Sequence, residues 1–186
     1  MDKNTKNIET KIEPLYQYDY VDDVLMLKKA HKYAPLIGSF LINFSNLEHC
    51  LDVEIADFLG NQRSHDFGYM VLKNLGFAEK IELFYDLVYT LVCWSEKHKR
   101  HKMLQLKKIK KSLDDLCVLR NKIAHAKWYT LDSEGYVRVA IKTDKDNGLV
   151  NFKKLRITPI TIKRGLREID SLTYKISDFT EKLQEL

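Results

Sequence analysis

The chain has 186 residues, of which 45% are hydrophobic and 31% charged, with 31 Lys and Arg against 26 Asp and Glu for a net charge of +5. That length suits one domain with a core of its own, and so modest a positive balance permits nucleic-acid binding without marking an obligate nucleic-acid scaffold. No run of about 18 apolar residues exists, which excludes a membrane-spanning helix, and the polar start Met1-Asp2-Lys3-Asn4-Thr5-Lys6 does not read as a signal peptide.

Seven Gly and three Pro give little punctuation, which favours long helices over a many-turned β fold. Residues 1–18 read as a flexible arm, and Asp22–Lys32 as a short first helix. From Tyr33 to Leu59, Ile37, Phe40, Leu41, Phe44, Leu47, Leu51, Ile55 and Leu59 recur at three- and four-residue steps, the stripe of a long helix that Gly60-Asn61 ends. Residues 61–76 read as a connector with one helical turn at Tyr69–Lys73. A second long helix follows over Ala78–Ser95, lined by Ile81, Phe84, Leu87, Val88 and Leu91. The basic run Glu96-Lys97-His98-Lys99-Arg100-His101-Lys102 reads as a loop or fraying helix end, and Met103–His125 as a third long helix buried through Leu106, Ile109, Leu113, Leu116, Cys117 and Ile123.

The period then changes. Tyr136–Lys142 alternates like a strand after the turn signal Asp132-Ser133-Glu134-Gly135. Trp128–Leu131 is placed to pair with it as a hairpin, and Leu149–Phe152 to add a short third strand. Thr158-Pro159, an N-cap and first-turn proline, opens a last helix to Leu186 along the seam Ile162, Leu166, Ile169, Thr173, Ile176 and Leu183. The expected fold is mainly α: a single domain over residues 19–186, a bundle of four or five helices with a small β insertion at about 128–153 before the last helix. Cys50, Cys93 and Cys117 are widely spaced and odd in number, which reads as buried free thiols in a reducing cytoplasm.

The chemistry concentrates in Arg120-Asn121-Lys122-Ile123-Ala124-His125. His exchanges a proton near neutral pH, and a guanidinium holds phosphate or a developing oxyanion. Asn121 and His125, four apart, share a helix face. Arg120 and His125, five apart, diverge by about 140°, a geometry that a symmetric pair of chains resolves by laying two copies of the face together. Asp114, two turns below Asn121, and Asp115 read as solvated helix residues. Glu48 either faces this motif or pairs with a lysine on a neighbouring helix. His98 and His101 lack the acidic or thiol neighbours a metal site requires. Lys99, Arg100 and Lys102, with Lys122 inside the motif, are the candidate RNA-backbone contacts. Tyr85 and Tyr89, on a helix, read as packing residues.

The string Leu119-Arg120-Asn121-Lys122-Ile123-Ala124-His125-Ala126 resembles the signature of HEPN-domain proteins, an Arg and a polar residue followed by a His four to six residues beyond the Arg. The helix carrying Phe44-Ser45-Asn46-Leu47-Glu48 also looks like the first long helix of that family, which often bears an acidic or polar residue facing the motif. The resemblance implies a HEPN-like helical domain that forms a homodimer through the motif face. It further implies a metal-independent endoribonuclease of toxin–antitoxin or anti-phage type, cytoplasmic, cofactor-free, and restrained by a cognate antitoxin of nucleotidyltransferase kind. The implied catalytic set is Arg120, Asn121 and His125 with Glu48. A module that has lost activity and binds RNA or a partner protein with the same face is the alternative.

Overall fold

The computed structural model describes residues 23–60, 65–94, 99–125, 127–132, 135–143 and 150–184. The expected arm over 1–18 lies outside them. The protein is mainly helical. Five helices, α1 (Asp23–Leu59), α2 (His65–Leu72), α3 (Phe77–Trp94), α4 (Lys99–Ala124) and α5 (Pro159–Gln184), are joined by three strands between α4 and α5: β1 (Lys127–Asp132), β2 (Gly135–Thr143) and β3 (Val150–Arg156). Among the described residues, no helix is long and apolar enough to cross a membrane.

The chain divides into two compact units, one of residues 1–39 and 121–164 and the other of residues 40–120 and 165–186. The boundary falls inside α1, α4 and α5. The first unit holds the three-stranded antiparallel sheet in the order β1-β2-β3. Strand β2 pairs with β1 from Lys127↔Val139 to Asp132↔Gly135 across a register irregularity after Tyr129. It pairs with β3 without a shift from Val137↔Arg156 to Thr143↔Val150. Tyr33, Ile123, Ile157 and Ile162 are the buried apolar side chains described in this unit. The Thr158 hydroxyl caps α5 by accepting from the Thr161 amide at 3.3 Å.

The second unit is organised on α1, whose Phe40, Phe44, Leu47, Leu51 and Ile55 are each at most 2% exposed. The facing residues come from α3 (Phe77, Ile81, Phe84, Val88), α4 (Leu106, Ile109, Leu113, Leu116) and α5 (Ile169, Leu172, Ile176, Phe179), all buried. Phe44 meets Phe77 edge-on at 4.6 Å and Phe40 at 6.3 Å between ring centroids, so aromatic packing fastens the start of α3 to α1. Glu79 reaches back to the Gly76 amide at 2.7 Å, closing the first turn of α3.

Four expectations from the sequence change. The short helix and long helix predicted before Leu59 are one continuous 37-residue helix with Pro35 inside it. Pro35 and His31, whose carbonyl loses its partner there, are both exposed, so water can take the place of the missing backbone bond. The connector turn is an eight-residue helix, α2. Lys99–Lys102 belongs to α4 rather than to a loop. Leu59, placed on the buried stripe, is 41% exposed.

Two helical glycines have opposite surroundings. A Cβ on Gly68 would lie 2.7 Å from the Cα of Ala56, a backbone atom of α1 that cannot yield alone, whereas a Cβ on Gly38 meets nothing within 4 Å. Gly68→Ala is therefore expected to lower the urea midpoint, with overpacking of about 1–3 kcal/mol outweighing the better helix former. Gly38→Ala is expected to raise it by up to about 1 kcal/mol. Equal shifts of the same sign in the two variants would contradict this packing.

Candidate functional site

Helix α4 carries the motif at its C-terminal end. Arg120 and Asn121 lie in the last turns, and His125 follows Ala124 directly. Arg120 is half-buried, and its guanidinium carbon stands 5.7 Å from the centroid of the Phe44 ring. The ring face attracts the cation while leaving its in-plane N–H donors directed sideways. Phe44 is itself clamped by Phe40 and Phe77, so the platform under Arg120 is rigid.

Cys117, one turn before Arg120, lies within electrostatic reach of Arg120, Asp114 and Glu48. Burial pushes its thiol up, Arg120 opposes that, and the two carboxylates add to it. Three groups singled out from the sequence, Arg120, Glu48 and Asp114, thus lie within electrostatic reach of one thiol in the second unit. Asp114 is exposed and accepts from Lys110 at 3.2 Å, which agrees with its reading as a solvated helix residue.

Asn121 and His125 belong to the first unit. Both are exposed. The Asn121 carbonyl accepts the His125 amide at 3.2 Å, extending the helical bonding by one residue. Of the candidate RNA contacts, Lys99 and Arg100 are exposed and Lys102 and Lys122 half-buried. Lys99 donates to the Cys93 carbonyl at 3.2 Å. His101 is exposed, His98 lies outside the described residues, and no group of three metal-ligating side chains is found among the described residues.

Glu48 takes the second of its two predicted roles and pairs with a lysine of the neighbouring helix. Lys80 of α3 donates to Glu48 at 3.0 Å and to Asp52 at 2.9 Å. Lys80 is 6% exposed, and the second Asp52 oxygen, Oδ1, is buried without a hydrogen-bond partner. Burial alone would pull the Lys80 ammonium down, but its bonds to Asp52 and Glu48 outweigh that and hold it above its ordinary value.

Sequence reading missed this cluster, although two signals were present. Glu48 and Asp52 are four apart on one helix face, and Lys80 stands within the apolar stripe Phe77, Ile81, Phe84, Val88. Two further readings are corrected. Tyr89 stacks on Tyr85 but is 43% exposed rather than buried. Cys50, Cys93 and Cys117 are free but only half-buried, since each lies at the margin of its helix stripe. No protein-family model, curated protein or solved structure matches this chain.

Removing the ammonium strands two partly desolvated carboxylates. Lys80→Met is expected to cost about 3 kcal/mol in urea unfolding, and a Lys80→Met, Glu48→Leu, Asp52→Leu triple variant to recover most of it. Because the folded lysine is raised, its contribution is complete below about pH 10.4 and disappears as pH climbs through the folded value. The stability gap between wild type and Lys80→Met should therefore hold constant to about pH 9 and narrow toward pH 11; a gap that widens there would refute the assignment.

Proposed function

We propose that the chain is a metal-independent endoribonuclease of HEPN type that works as a homodimer, with the three strands between α4 and α5 as an insertion in a HEPN-like bundle. The observation that carries this reading is the exposed His125 at the end of α4, with Asn121 one turn before it and Arg120 seated on the rigid Phe44 ring in the preceding turn.

The chemistry needs no more than these groups. RNA carries a 2′-hydroxyl beside each phosphodiester. One imidazole takes the hydroxyl proton, the oxygen attacks phosphorus, and a second imidazole protonates the departing 5′-oxygen. A 2′,3′-cyclic phosphate is left. Two copies of His125, one from each chain, supply the base and the acid. Arg120 carries the charge that develops on the phosphoryl oxygens, an effect typically worth about 10²–10³ in rate. Asn121 orients His125 or donates to phosphate. Glu48, tied to Lys80 at 3.0 Å, acts as a fixed charge of the second unit and does not touch substrate. Lys99, Arg100, Lys102 and Lys122 hold the RNA backbone. An effector of this kind in a toxin–antitoxin or anti-phage setting is held in check by a partner such as a nucleotidyltransferase-like antitoxin, and operates in the cytoplasm.

One observation favours the non-catalytic alternative, in which the same face binds RNA or a protein: Glu48 is committed to Lys80 rather than to the motif. Digestion of RNA in excess chelator separates the readings. Wild type is expected to cleave and to leave cyclic-phosphate ends, and His125→Ala to lose at least about 10²-fold in rate. Equal cleavage by both proteins, or a chain that stays monomeric at micromolar concentration, would remove the paired-site mechanism. Toxicity on expression that survives His125→Ala would select the binding module.

A further inference from the structure

The second unit carries a feature that the motif does not use. Between Lys99 and Lys111, α4 has seven Lys or Arg and no carboxylate. Lys107, Lys108 and Lys111 are exposed. Alongside, Tyr85 and Tyr89 of α3 stack at 5.9 Å between centroids with 30° between their planes. Lys110 lies 5.8 Å from the Tyr85 ring centroid while bonding Glu82 at 2.6 Å and Asp114 at 3.2 Å. These contacts, with Lys99 on the Cys93 carbonyl, make α3 and α4 antiparallel, so Lys107, one turn before Lys110, comes level with Tyr89.

We propose that the Tyr85–Tyr89 pair and the basic half of α4 form a binding surface for single-stranded RNA, with bases stacking on the exposed ring and Lys107, Lys108 and Lys111 tracking the phosphates. Each half of this arrangement answers to a different part of the ligand. Fixed aromatic rings take unstacked bases of any sequence, and a run of cations without acids takes a polyanionic backbone. A duplex offers the phosphates but no free base faces. The identity of the polyanion rests on the ribonuclease reading above; the aromatic and cationic juxtaposition does not.

The experiment measures fluorescence anisotropy of a labelled single-stranded RNA of about ten nucleotides, within the usual footprint of such surfaces. It uses the full chain carrying His125→Ala so that the probe stays intact. Tyr85→Leu/Tyr89→Leu is expected to weaken binding at least about tenfold, and Tyr85→Phe/Tyr89→Phe, which keeps both rings, to retain it. Lys107→Ala/Lys108→Ala/Lys111→Ala is expected to flatten the slope of log affinity against log salt by up to about 2. Undiminished binding by the Leu pair, loss of binding in the Phe pair, an unchanged salt slope, or equal affinity for a blunt duplex would overturn the surface. So would tyrosine-independent binding to phosphatidylserine vesicles in place of RNA. Wild-type cleavage with tyrosine-indifferent binding sinks the surface alone; tyrosine-dependent binding without any wild-type cleavage sinks the nuclease alone.

Discussion

The second unit depends on burial of one stripe of α1. Phe40, Phe44, Leu47, Leu51 and Ile55 are withdrawn from water almost completely, and contacts from this helix reach every other helix of that unit. Phe44 meets Phe77 of α3 and supports Arg120 of α4. Ala56 abuts Gly68 of α2, and Phe40 closes on Gly165 of α5. At the far end Glu54 accepts from Ser177 and Thr180 of α5 at 2.9 and 2.6 Å. Apolar burial supplies the driving force, and the polar contacts at the margins choose which helix lies where.

The same helix supports Arg120, the cation of the proposed chemistry. A guanidinium at the end of α4 would ordinarily sample many rotamers at an entropic cost when it binds phosphate. Seating it on a ring that is wedged between two others removes much of that freedom in advance. The imidazole five residues later has the opposite setting, exposed at a helix end. In the proposed mechanism this contrast suits a charge that must stay put and a proton carrier that must reach.

The long helices were legible because their buried residues recur at three and four. Leu106, Ile109, Leu113 and Leu116 of α4 and Ile169 and Ile176 of α5 lie inside as their spacing requires. Helix α2 was not legible for the converse reason. Its Phe67, Met70 and Val71 are 67%, 60% and 53% exposed, while the side set inward carries Gly68 and Leu72. A pattern search that equates apolar with buried finds no face there. The start of α4 was obscured by its own charge, since a lysine-rich segment has the composition of a loop until a helix carries it. At the motif, residue types and spacing were readable, but the support beneath Arg120 was not. It comes from Phe44, 76 positions earlier in the chain, and tertiary proximity of that kind leaves no periodic trace.

The Lys80 cluster also fixes how α3 can lie along α1. Sliding α3 by a turn in one direction would set Phe77 against Glu48 and Asp52, and in the other direction Phe84; either way an ammonium would be driven into hydrocarbon and two carboxylates would face a ring. Aliphatic stripes alone tolerate such slippage, because one branched side chain fills another's place at small penalty. A single cation shared by two anions does not, so the pair of helices is keyed to one alignment, and the floor beneath Arg120 inherits that alignment.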